Sequence, residues 1–120
     1  MATKNPAFDV VRAVALGLPE IADSSSPRCF AVKYRGKLLA CEAIHKSAES
    51  ESLMVRIDFD KREQLISLEP DIYYLLPHYA KYPCVLVRLA KIDRESLRLL
   101  LIDACRFIKP ETTTKRRKKA

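Results

Sequence analysis

Apolar residues recur along this chain with two periods, one helical and one alternating, and each predicts elements. Phe8, Val11, Ala15 and Leu18 stand at near-helical spacing with Val10 and Val14 beside them. A first helix is therefore predicted to open at Asn5-Pro6, with Asn as cap and Pro in the first turn, and to close at Gly17 and Pro19. Leu53, Val55, Ile57 and Phe59 alternate with Met54, Arg56, Asp58 and Asp60, the pattern of a strand with one dry and one wet face. Leu97, Leu100, Leu101, Ala104 and Ile108 form the apolar stripe of a final helix, widened by Leu99, Ile102 and Cys105. Asp93 caps that helix, Arg94, Arg98, Asp103 and Arg106 line its other side, and Pro110 ends it.

The intervening stretches complete the order. Residues 18–27 are rich in Ser, Asp and Pro and read as a loop, with Ser24-Ser25-Ser26 solvated. Cys29–Tyr34 and Lys37–Ile44 are strand-type runs flanking Arg35-Gly36, which predicts a β-hairpin whose glycine supplies a positive φ. His45–Ser52 is a polar connection. Asp60-Lys61-Arg62-Glu63 has capping-box spacing, predicting a helix from Lys61 to about Glu69 with Leu65, Ile66 and Leu68 inward, ended by Pro70. Ile72–Leu76 is a short strand or extended segment, Pro77–Pro83 is barred from regular structure by its prolines, and Cys84–Leu89 is a last, β-branched strand. The predicted fold is α+β in two layers: an antiparallel sheet with helices on one face, in the order α-β-β-β-α-β-β-α. A parallel sheet covered on both sides would lack the alternation seen at 53–60.

Length and composition narrow the class. A chain of 120 residues is one domain, read as 1–110 followed by a flexible basic tail at 111–120. Its apolar runs are too short for a membrane span, and Met-Ala-Thr-Lys-Asn-Pro lacks the apolar core of a secretory signal, so the expectation is a cytoplasmic protein without a membrane partner. Cys29, Cys41, Cys84 and Cys105 lie inside apolar runs with no C-x-x-C pair, which suits small buried hydrophobes. Cys29 and Cys41 could meet across the hairpin as thiols. With His45 and His78 they offer no local ligand pair of zinc spacing, so no metal or other cofactor is expected.

Net charge changes the picture more than composition does. Of the +7, Lys115, Arg116, Arg117, Lys118 and Lys119 supply five charges, leaving the domain mildly basic. Within it, Arg28, Lys33, Arg35 and Lys37 bring four cations to the hairpin with no intervening Asp or Glu, an arrangement that can straddle a phosphate backbone. His78, Tyr79, Lys81 and Tyr82 interleave aromatic and basic groups, suiting phosphate contact or stacking on an unpaired base. The bland alternatives are a solvated hairpin tip, tyrosines anchored on the core edge, and a solubilising terminus. His78 has no nucleophile or metal motif near it in sequence, so no catalytic residue is assigned.

Several segments resemble the MmcQ/YjbR family of small bacterial proteins. They are Ala15-Leu16-Gly17-Leu18-Pro19-Glu20, Cys29-Phe30-Ala31-Val32 followed by Arg35-Gly36-Lys37-Leu38-Leu39-Ala40, Asp60-Lys61-Arg62-Glu63, Leu76-Pro77-His78-Tyr79, and Val85-Leu86-Val87-Arg88-Leu89 before Asp93. The resemblance runs from about Phe8 to Pro110. It implies a secretion-chaperone-like two-layer fold and DNA binding through a double-wing surface. Two departures stand out: Tyr82-Pro83-Cys84 replaces the Gly-Trp common before the last strand, and Cys105-Arg106 replaces a Trp common in the last helix. The expectation is a non-enzymatic protein that binds DNA or another polyanion through the hairpin and the C-terminal arm. The alternative is a protein-binding adaptor that uses the exposed sheet face.

Overall fold

The computed structural model describes residues 6–108. Within them α1 (Pro6–Leu16) leads to β1 (Ile21–Asp23), β2 (Ala31–Tyr34), β3 (Lys37–Glu42) and β4 (Ser52–Arg56). Then come α2 (Phe59–Leu68), β5 (Tyr73–Tyr74), α3 (Pro77–Ala80), β6 (Cys84–Arg88) and α4 (Arg94–Ile108). The strands form one antiparallel sheet in the order β1-β2-β3-β4-β6-β5. The α+β class, the antiparallel sheet and the predicted elements are all present.

Two elements are additional. Ile21–Asp23 falls within the predicted loop but is an edge strand, because Tyr34, Lys33 and Val32 supply its partners, which no local pattern reveals. Pro77–Ala80 is one helical turn rather than irregular chain: Pro77 stands in the first turn, where its missing N–H costs no bond. The cap predicted at Asn5, the stop at Pro110 and the tail lie outside the described residues.

The inner face of the sheet carries the core. α4 lies over β3 and β4 and packs beside α1, burying Leu97, Leu100, Leu101, Ala104 and Ile108 against Leu53, Val55, Val85 and Val87. The predicted stripe is the buried one, except that Leu99, expected to widen it, is 49% exposed. Pairing places Ala40, Val55 and Val85 across from one another, so Cys41, Met54 and Leu86 point to the outer face. Among the described residues no long helix covers that side.

α2 shows three corrections. Its N-cap is Asp58, whose Oδ1 accepts from the Lys61 N–H at 2.7 Å, rather than Asp60. Phe59, expected to close the strand's dry face, is the first helical residue and is largely exposed. Leu68 is 78% exposed, and the inward position one and a half turns earlier belongs to Arg62, at 7% exposure. Arg62 Nη1 donates to the carbonyls of Ala80, Tyr82 and Cys84 at 3.1, 2.9 and 3.4 Å, tying α3 and the entry of β6 to α2. Its guanidinium also sits 4.7 Å from the Phe59 ring. Nε has no hydrogen-bond partner; Glu63 Oε2 is 3.5 Å away, within reach for charge but too poorly aligned to bond.

Candidate nucleic-acid interface

The hairpin closes through Arg35 (φ 52°) and Gly36 (φ 83°), both in the left-handed region that a two-residue turn between twisted strands requires. Gly36 meets no steric obstacle there, whereas Arg35 would ordinarily avoid it. Glu20 offsets the strain. Its carbonyl accepts from the Arg35 N–H at 3.1 Å and its carboxylate accepts from Arg35 Nη2 at 2.9 Å. The bonded carboxylate raises the Arg35 pKa above its ordinary value.

Register separates the other hairpin cations. Tyr34 pairs with Lys37 and is buried on the inner side, so Lys37 shares that side at the exposed tip. Lys33 pairs with Leu38 and points outward. Between them Leu39 is an extra residue, a bulge that lets both Leu39 and Ala40 stay buried. Arg28 stands in a turn made by Ser26 and Cys29, where β2 begins, at the end of the hairpin away from its tip. Arg28, Lys33 and Lys37 are exposed, and among the described residues none has an ion-pair partner. Arg12, Arg35, Arg88, Arg98 and Arg106 all do.

Strand direction gathers several cations at one end of the sheet. β3 begins at the Arg35-Gly36 tip, so antiparallel β4 ends there and antiparallel β6 begins there. Lys81, exposed beside Tyr82, directly precedes that entry. Arg56 at the exit of β4 donates to the Leu38 carbonyl at 3.3 Å and lies 5.8 Å from the Phe107 ring in the last turn of α4. The last turn of α4, which precedes the basic segment 115–119, therefore sits at the same end as the hairpin tip and Lys81.

His78, in the same helical turn as Lys81, is engaged by the 43–51 segment. Its ring stacks on His45 with centroids 4.0 Å apart, and Tyr79 meets both rings edge-on at 4.9 and 6.2 Å. His45 Nδ1 accepts from the Ser47 N–H at 3.1 Å and lies 2.6 Å from Ser47 Oγ. The Tyr79 hydroxyl accepts from the His45 N–H at 3.3 Å, and burial raises its pKa. Further along the same segment, the Tyr74 hydroxyl accepts from the Glu49 N–H at 3.0 Å and lies 2.6 Å from Ser52 Oγ. Arg88 donates from both Nε and Nη2 to Glu49, at 2.8 Å each, and stacks over Tyr74. Residues 43–51 are thereby fastened to the outer face, leaving Ala31, Leu38, Cys41 and Met54 as its half-buried strip.

All four cysteines are free thiols; Cys84 is buried and the others are half-buried. Cys41 pairs across the hairpin with Ala31 rather than Cys29, which lies before β2. Among the described residues no group of three or more His, Cys, Asp or Glu is placed to hold a metal ion, and no helix is long and apolar enough to cross a membrane.

Sequence patterns give Glu20, Glu49 and Arg62 no site role and raise His45 only as a metal ligand. Arg62 had a local signal, since it lies three residues after Phe59 and four before Ile66, on the inward stripe of α2. The His45–His78 and Glu49–Arg88 contacts span 33 and 39 positions and carry no local signal.

No protein-family model matches the chain. Uncharacterized protein Rv2570 of Mycobacterium tuberculosis is 36% identical over 110 residues, covering 80% of this chain and 82% of its own, and uncharacterized protein Mb2600 of Mycobacterium bovis matches to the same extent. The chain belongs to the same family as these mycobacterial proteins. Its fold recurs in the crystal structure of the Deinococcus radiodurans protein DR2400, a DUF419 domain, with a TM-score of 0.68 over 94% of this chain and 87% of that one. Identity there is 21%, so the likeness concerns the fold alone.

Proposed function

We propose that this chain is a non-enzymatic nucleic-acid-binding protein of the MmcQ/YjbR type, contacting phosphates at the sheet end where the hairpin tip, Lys81 and the last turn of α4 meet. The family assignment draws on the segments quoted above and on the DUF419 neighbour, a domain family related to MmcQ/YjbR. The observation that carries the binding reading is the set of unpaired exposed cations. Lys37 and Lys81 are free of carboxylates among the described residues, while most arginines are paired. Unpaired cations release a polyanion's condensed counterions without first breaking an internal bond. Lys33 and Lys37 project from opposite sides of one hairpin, which supports its use as a wing between two phosphate rows. Arg35 contributes little beyond the turn because Glu20 holds it, Arg28 lies at the far end of the hairpin, and His78 is engaged by His45. The adaptor reading has less support, since segment 43–51 occupies much of the outer face.

Salt dependence of binding to a short DNA duplex tests this reading. If Lys115–Lys119 all engage phosphates they give a slope of log K against log salt of about −4.5, from roughly −0.9 per contact. Removing residues 112–120 should eliminate that component, and Lys33→Ala with Lys37→Ala should take away about two contacts more. Binding that disappears with the tail and ignores both lysines would sink the wing.

A further inference from the structure

The outer face has a fastening that the proposed function does not use. Leu86 points outward and is fully buried, yet none of the three long helices lies there. What covers that side is Tyr74, Tyr79 and the 43–51 segment that their hydroxyls hold. Backbone bonds hold the segment's two ends, Ala43 N–H to the Ser52 carbonyl and Leu89 N–H to the Glu51 carbonyl, and side chains fasten its middle at two points. At one, Glu49 meets Arg88 and Tyr74; at the other, His45 stacks on His78.

We infer that the stacked His45–His78 pair is a proton-operated latch, which keeps segment 43–51 against the sheet when the rings are neutral and releases its first half when they are protonated.

Two contacts act together to make the closed state depend on neutral rings. His45 Nδ1 uses its lone pair to accept from the Ser47 N–H. Protonation there would point one N–H at another and leave only Ser47 Oγ as a partner. Second, the ring centroids are 4.0 Å apart and nearly parallel. Two imidazolium ions at that distance repel each other, whereas two neutral rings stack without penalty.

Among the described residues no carboxylate forms an ion pair with either ring. Tyr79 is edge-on to both rings, and burial holds its hydroxyl neutral. Behind it Cys41 on β3 and Cys84 on β6 are thiols that burial also keeps protonated. Glu42, next to Cys41, bears on the Cys29 and Cys41 thiols, and the neighbours Lys46 and Lys81 are cations. Glu49 is engaged by Arg88, which lowers its pKa, so that second fastening stays charged and closed in mild acid. Imidazole changes charge between about pH 5 and 8, so the first fastening opens in a range where the second does not.

Amide hydrogen exchange on the intact chain, expressed as protection factors to remove the intrinsic pH effect, reads this out. Between pH 7.5 and pH 5 the protection of the His45 and Ala48 amides should fall at least tenfold, while that of Val85 and Val87 in the core changes less than twofold. His78→Phe keeps an aromatic ring on His45 but cannot take a proton, and the loss there should shrink to threefold or less. Unchanged protection in the parent chain at pH 5 would overturn the latch. So would an equal loss at Val85 and Val87, which is global unfolding, or an undiminished loss in His78→Phe.

Discussion

The two faces of one sheet are held by different physics. On the inner face Leu53, Val55, Val85 and Val87 meet the stripe of α4, and attraction there is proportional to apolar area with little directionality. On the outer face the cover is an irregular segment fixed by a few bonds: Tyr79 to His45, Tyr74 to Glu49 and Ser52, Arg88 to Glu49. A dry contact tolerates small adjustments but not lost volume. A bonded contact tolerates lost volume but not a lost donor or acceptor, and it can respond to pH. The stable framework and the adjustable surface are therefore separated by a single strand thickness.

The largest expected effect tests the inner face. Leu101→Ala should cost about 2–5 kcal/mol in urea unfolding, since it empties a fully buried site, while Leu99→Ala on the exposed side of the same helix stays within about 0.5 kcal/mol. Equal losses would mean that α4 presents a different face to the core. Next is Arg62→Met, which preserves the length of the side chain but orphans the carbonyls of Ala80 and Tyr82. A loss of about 2–3 kcal/mol is expected, with Arg62→Lys failing to restore it because one ammonium cannot span the same carbonyls. A neutral Arg62→Met would show that those carbonyls find water instead.

Tyr74→Phe removes one hydroxyl from the outer face. It should cost about 1–2 kcal/mol and raise amide exchange at Glu49 far more than at Val85. A uniform rise would erase the contrast between the faces. The smallest effect is alkaline. Burial raises the Cys41 and Cys105 thiols from 9.0 to about 11, and Tyr73 from 10.0 to about 12. In each case the fold favours the protonated form. That contribution is complete below the ordinary value and is lost as pH climbs through the raised one, so the melting temperature should decline from about pH 9 upward. Cys105→Ala on the inner side and Cys41→Ala on the outer should each flatten part of the decline. Profiles that match the parent in both would remove the thiols from the account.

Sequence reading served the inner face far better than the outer. The spacing of Leu97 to Ile108 and the alternation of Leu53, Val55 and Ile57 are consequences of burial against a neighbour, so they appear as periods along the chain. Where elements are short the signal fails. Ile21–Asp23 becomes a strand only because β2 lies beside it, and Asp58 rather than Asp60 caps α2 because β4 stops at Arg56. The hairpin and its glycine were legible, but the pairing of Arg35 with Glu20 was not, because it depends on how the exit of α1 meets the tip. The four hairpin cations looked like one cluster in sequence. The register divides them among the tip, the outer face and the far end.

The strand order also bears on how the chain is made. β1 to β4 pair with neighbours in sequence, so they can zip together as they emerge from a ribosome, with little loop entropy to overcome. β6 enters between β4 and β5, and until it arrives Ser52–Arg56 is a bare edge and Tyr73–Tyr74 has no partner. The stretch from Arg56 to Arg88, about 30 residues, takes roughly two to six seconds to synthesise at about 5–20 residues per second. For those seconds the nascent protein exposes a strand edge bearing Leu53 and Val55, the kind of surface that recruits other chains. A newborn copy thus stays open to pairing with other chains until its fourth strand, the provisional edge of the sheet, is covered by the sixth.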